Sequence, residues 1–106
     1  MNLFRILYNA SYLRPEYSNV ILSLLSESDF RQGLASGVPD GTEVAHKCGE
    51  AVYPGNDGNI IAVLSDCGIV YHEETPCILC IMTEGKDFNT LETVIRDLSK
   101  TVHAVL

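Results

Sequence analysis

The chain has 106 residues, 46% of them hydrophobic and 20% charged, with a formal net charge of −7. That suffices for one small domain, residues 1–106, with a modest core. The acidic balance argues against a nucleic-acid partner, which needs clustered Lys and Arg. The longest apolar runs are far too short to cross a bilayer.

Asn2 to Tyr12 reads as a helix, because Leu3, Phe4, Ile6, Leu7 and Ala10 recur every three to four residues. No charged-then-apolar leader with a cleavage site opens the sequence, so no export signal is visible in it. Arg14-Pro15-Glu16 starts a second helix, with Pro15 suited to the first helical position. Val20, Ile21, Leu24 and Leu25 are its expected apolar face. A short irregular or helical stretch, residues 30–38, leads to the turn signal Pro39-Asp40-Gly41.

A first strand is expected over 43–50 and a loop over 53–59, where Pro54-Gly55-Asn56-Asp57-Gly58 breaks any regular pattern. Ile60 to Leu64 reads as a short strand or part of a longer connection, and Cys67 to Tyr71 as the second strand. Cys77 to Thr83 is apolar on both faces, as expected of a covered central strand. Asp87 or Asn89 caps a last helix. Asn89 with Glu92 has capping-box spacing, Glu92 can pair with Arg96, and Phe88, Leu91, Ile95, Leu98, Val102 and Val105 form one apolar stripe. The class is therefore α+β: N-terminal helices, a three-stranded antiparallel sheet, and a C-terminal amphipathic helix packed on it.

The most informative stretch is Val44-Ala45-His46-Lys47-Cys48-Gly49-Glu50. Alternation along a strand sets His46 and Cys48 on one face, with Lys47 and Val44 assigned to the other. An ammonium beside a small residue and a glycine suits anion binding: Lys47 supplies charge, Cys48 leaves space, and Gly49 lets a ligand approach the backbone. The bland alternative is an edge strand bearing a solvated lysine.

Four cysteines are present. Cys77-Ile78-Leu79-Cys80 has redox or zinc spacing. It falls within an apolar strand and has no second pair to complete a zinc knuckle, so no metal site is expected. Free thiols acting as small hydrophobes are favoured. A Cys67–Cys77 or Cys67–Cys80 bridge across a hairpin is the alternative, and the spacing does not choose between them. Cys48 beside Lys47 and His46 has the look of an activated thiol. His46 and Cys48 project in parallel, however, and no third residue is evident to orient the histidine. His72 falls in a turn, and His103 reads as a solvated or helix-capping residue.

Taken in order, Lys47-Cys48-Gly49, Asp66-Cys67-Gly68-Ile69-Val70-Tyr71, Cys80-Ile81-Met82-Thr83-Glu84-Gly85 and the terminal helix resemble the C-terminal half of a class A beta-lactamase or related serine D-alanyl-D-alanine peptidase. That resemblance covers nearly the whole chain. It implies a partial beta-lactamase-like fold in which Lys47, Cys48 and Gly49 stand where the superfamily has Lys-Thr-Gly, matching two positions of three. Lys47 and Cys48 would bind the substrate carboxylate, Gly49 would allow close approach, and the backbone amide of Glu50 would serve the oxyanion. A thiol donates more weakly than the family's hydroxyl.

The remaining machinery of that superfamily is missing. No serine is followed three residues later by lysine. Ser65-Asp66-Cys67 resembles the Ser-Asp-Asn motif but follows the lysine strand instead of preceding it. Tyr17-Ser18-Asn19 matches Tyr-X-Asn only by letters. The expectation is the C-terminal part of a serine hydrolase whose parent cleaves a beta-lactam or D-alanyl peptide outside the cytoplasmic membrane, without a cofactor and inactive alone. The alternative is a non-catalytic scaffold that self-associates or pairs with a missing N-terminal half.

Overall fold

The computed structural model describes residues 2–73 and 75–106. Helices α1 (Asn2–Asn9) and α2 (Pro15–Ser26) come first. A single 3-10 turn, Leu34–Gly37, follows. Strands β1 (Val44–Pro54), β2 (Ile60–Val70) and β3 (Cys77–Gly85) then form an antiparallel sheet in the order β1-β2-β3, and α3 (Phe88–Ala104) closes the chain. The expected α+β class is found.

The sheet is longer than the sequence pattern implies. Loop residues Gly55 to Asn59 are closed by the Gly55 N–H donating to the Asn59 carbonyl at 2.7 Å, so β1 runs on to Pro54. Ile60–Leu64 and Cys67–Tyr71, read as separate pieces, are one strand. Ser65 and Asp66 between them look like a polar break, but each pairs across to both neighbours. β2 is thus the central strand, and β3 is an edge, contrary to expectation. β3 is apolar on both sides because helices cover parts of both faces.

On one face Val44, Ala62, Leu64, Val70 and Ile81 pack with Leu34, Val38, Leu91 and Ile95. On the other, Ala45 and Ile69 pack with Phe4, Leu7 and Leu22. Each fully buried Ile or Leu in such a cluster stabilises by about 1.5–3 kcal/mol. Val44 stands two residues from His46, so it faces the same side, and its assignment to the Lys47 face is corrected by simple alternation.

The helices also differ in detail. α1 stops at Asn9, because Ala10 takes a positive φ of 50°. α2 has Pro15 in its first turn as expected, but buries Ser18 and Leu22. Ile21 and Leu25 are half-buried, and Val20 and Leu24 point outward. α3 is capped by Asp87, whose carboxylate accepts from the Thr90 N–H at 2.8 Å; Asn89 lies inside the helix. Its buried stripe is Leu91, Ile95 and Ser99, with Leu98 and Val105 exposed. Ser99 is tolerated there because its hydroxyl donates to the Leu34 carbonyl at 2.9 Å. Arg96 bonds to its neighbour Asp97 at 3.2 Å, not to Glu92.

Candidate functional site

Lys47 lies on the face of the sheet that carries α1 and α2, directly opposite Cys67. Those helices cover only the end containing Ala45 and Ile69. Burial along β1 therefore breaks off sharply: Val44, Ala45 and His46 are buried, and Lys47 is exposed. The ammonium donates to the Cys48 carbonyl at 3.2 Å. Among the described residues it makes no ion pair. Gly49 continues the same face opposite Ser65, whose hydroxyl would be 3.2 Å from a Cβ placed at Gly49. Cys48 and Glu50 point to the other face by alternation, so the Glu50 carboxylate is turned away from Lys47. As an edge strand, β1 keeps one side of its backbone unpaired along Lys47–Glu50. The larger clefts, about 520 Å³ beside Pro39 and Lys100 and about 620 Å³ beside Gly55 and Lys86, do not include Lys47. The strand is an open wall, not an enclosed pocket.

Immediately before Lys47 the chain holds a buried polar node that the sequence reading did not find. His46 Nδ1 is 2.7 Å from Asp66 Oδ1, and both side chains are 0% exposed. Asp66 Oδ2 accepts from the Leu34 N–H at 2.9 Å. One carboxyl group thus ties β1, β2 and the 3-10 turn together, with both oxygens used, as burial of a polar group requires. Two glycines make room for it. A Cβ at Gly68, opposite His46, would overlap the Ala45 carbonyl and the His46 side chain, and one at Gly33 would overlap the Asp66 carboxylate. The legible signal was Asp66-Cys67-Gly68, an acid and a glycine two apart within an apolar strand, with a histidine preceded by the apolar Val44 and Ala45 on another.

Asp66 is the orienting group thought absent for His46. It does not turn Cys48 into a nucleophile. His46 Nε2 is buried and has no hydrogen-bond partner among the described residues, the Cys48 thiol included.

Cys67 and Cys80 stand opposite each other on β2 and β3, with Cα atoms 4.0 Å apart, and are joined as a disulfide; Cys48 and Cys77 are free. The cross-hairpin alternative is therefore realised, in its Cys67–Cys80 form, and it continues the row that begins at Lys47. His103, expected to be solvated or helix-capping, is half-buried in the last turn of α3. Its ring meets His72 edge to face at a centroid distance of 4.4 Å. Tyr17, Ser18 and Asn19 lie on α2, where Ser18 is buried and its hydroxyl has no partner among the described residues. Burial pushes the Tyr71 hydroxyl up, with Glu43 and Tyr8 adding to it. No group of three or more potential metal ligands occurs among the described residues.

A model of the beta-lactamase enzyme family matches residues 1–106. The chain belongs to the beta-lactamase enzyme family. Its structure is similar to that of the TLA-1 extended-spectrum beta-lactamase, with TM-score 0.80 and 22% identity over 99% of this chain and 40% of that one. It is also similar to PBP-A (0.74, 21%, 97% and 36%). A third match is a class A beta-lactamase from Bacteroides cellulosilyticus DSM 14838 (0.79, 20%, 97% and 38%). At these identities the structural likeness shows the fold alone. The chain spans about two fifths of the length of these beta-lactamase-fold proteins, corresponding to a C-terminal portion. Comparison with curated protein sequences returns no match. No helix among the described residues is long and apolar enough to cross a membrane.

Proposed function

We propose that this chain provides the substrate-carboxylate wall of a beta-lactamase-like serine hydrolase, with Lys47, Cys48 and Gly49 in the place of Lys-Thr-Gly. The ligand would be a beta-lactam or D-alanyl peptide. The observation that carries this is the exposed Lys47 ammonium, held by the Cys48 carbonyl and by no carboxylate among the described residues, on an open edge strand with Gly49 on the same face. A carboxylate can reach the ammonium without displacing a protein anion, and Gly49 leaves the backbone accessible. The amide of Glu50 takes the oxyanion role. Its side chain, turned to the other face, does not oppose an anionic substrate at Lys47. Because no serine stands three residues before a lysine, the acyl-serine intermediate requires residues outside this chain, which is inactive alone.

Intact-mass labelling with a fluorescent penicillin tests this reading. The chain alone should take no label. Mixed with the N-terminal portion of a related enzyme, it should promote labelling of that portion's serine, and Lys47→Ala should abolish the effect. A covalent adduct on this chain alone, or labelling that ignores Lys47→Ala, would sink the proposal. A scaffold without chemistry is the second reading. It is favoured by Cys48, a poor hydroxyl substitute, and it predicts complex formation without labelling.

A further inference from the structure

Aspartate followed by glycine occurs twice in this chain, at Asp40-Gly41 and at Asp57-Gly58. Both pairs are exposed. Both glycines take a positive φ, 89° and 81°, and a Cβ at either would meet nothing within 4 Å. Such an aspartate is open to attack by its own backbone, because no side chain shields the next N–H. The two turns engage that N–H differently. In the first, the closing bond runs from the Thr42 N–H to the Pro39 carbonyl at 3.1 Å and leaves the Gly41 N–H, in the middle, unused. No hydrogen bond or ion pair among the described residues holds the Asp40 carboxylate. In the second, the Gly58 N–H is given to the Gly55 carbonyl at 3.4 Å. Asp57 Oδ1 accepts from the Asn59 N–H at 3.1 Å, and Oδ2 from the Asn59 side-chain amide at 3.2 Å. The Asn59 N–H first, and then its side chain, hold the Asp57 carboxyl below its ordinary pKa, which depletes its protonated form.

We propose that Asp40-Gly41 is a self-modification site at which this chain converts aspartate to isoaspartate, and that Asn59 holds the identical pair at Asp57-Gly58 inert. In the reaction the Gly41 nitrogen gives its proton to solvent and bonds to Asp40 Cγ. The C–OH bond of the Asp40 carboxylic acid breaks, and the hydroxyl leaves with a proton as water. The product is a cyclic succinimide, to which water then adds. Cleavage between the nitrogen and Cγ restores aspartate. Cleavage between the nitrogen and the Asp40 main-chain carbonyl carbon leaves the chain running through Cγ, as isoaspartate. Water is the only co-reactant, and the final mass equals the starting mass. The backbone is one methylene longer in the connection from the 3-10 turn to β1, the strand that carries Lys47. Ring closure requires the nitrogen and Cγ to approach closely. At Asp40 no hydrogen bond has to break first. At Asp57 the bonds to Asn59 and the Gly58 bond must open beforehand.

Incubation of the intact chain at neutral pH provides the test. An endoproteinase that cuts before aspartate but not before isoaspartate, followed by mass spectrometry, counts the product at each site. Isoaspartate should accumulate at Asp40 at least about tenfold faster than at Asp57, the order of factor by which hydrogen bonds that must open slow a step. Equal rates, or a faster rate at Asp57, would overturn the assignment. In about 8 M urea, which removes both turns, the two rates should come within about threefold of each other. The same preference persisting there would place its cause in the neighbouring sequence and not in the turns. Asn59→Ala, at an exposed position, should speed modification at Asp57 and leave Asp40 unchanged. An unchanged rate at Asp57 in that variant would strip Asn59 of its protecting role. A folded chain unmodified at Asp40 while the urea-unfolded chain reacts would show that the first turn protects as well, and the inference would fall.

Discussion

Replacing Asp66 by alanine should be among the most damaging single changes in this chain. The carboxylate accepts from the Leu34 N–H at 2.9 Å and pairs with His46 Nδ1 at 2.7 Å, with no exposure to water. Asp66→Ala strands both groups, and each orphaned buried group costs about 1–3 kcal/mol. Two orphaned groups together cost about 2–6 kcal/mol. That is a large share of the roughly 5–15 kcal/mol available to a domain. With a urea slope of about 2 kcal/mol/M the unfolding midpoint should fall by roughly 2 M. Asp66→Asn keeps one carbonyl oxygen and can satisfy one donor, so its loss should lie between wild type and alanine. Urea unfolding at neutral pH, followed by far-ultraviolet circular dichroism, measures all three proteins. If Asp66→Ala stays within about 1 kcal/mol of wild type, the node does not anchor the 3-10 turn to the sheet and the reasoning fails.

Two further outcomes are expected. The Thr90 N–H and hydroxyl hold the Asp87 carboxyl below its ordinary pKa of 3.8. A depressed folded-state pKa contributes stability that is present above the unfolded value and lost as pH falls through the folded one. Asp87→Asn should therefore melt below wild type near neutrality, with the gap closing in acid; a gap that widens below about pH 4 would contradict the cap. The Cys67–Cys80 bridge closes a loop of sequence separation 13, worth about 3 kcal/mol. Without reductant, alkylation of the denatured chain should modify Cys48 and Cys77 alone, and reduction should lower the urea midpoint. Four modified thiols would show that the bridge does not form.

The periodicity of α3 and the turn at Pro54–Gly58 were legible because each rests on local chemistry, a repeat of apolar residues or a run of turn formers. The sheet's order was less so. β3 is apolar on both sides, which from sequence looks like a central strand, while β2 carries Ser65, Asp66 and Gly68 in its middle. Those residues are tolerated in the centre only because His46 and Leu34 satisfy Asp66 from other elements. The orientation of α2 was misjudged for a similar reason: its apolar residues run nearly all round, so periodicity does not say which side faces inward. In the candidate site, Lys47 and Gly49 could be named from the strand pattern. The Asp66–His46 pair spans 20 residues, and no local spacing announces it.

Leu34 gives its N–H to Asp66, 32 residues on, and its C=O to Ser99, 65 residues on. No helix or strand ladder holds both backbone groups of this residue; each waits for a side chain made much later. During synthesis the turn can dock on β1 and β2 only once Asp66 has been made, and its second tie, to Ser99, forms only when α3 has left the ribosome. The same dependence makes the Leu34 amide a reporter. It should exchange with solvent only when the chain opens as a whole, unlike amides in the uncovered half of β1.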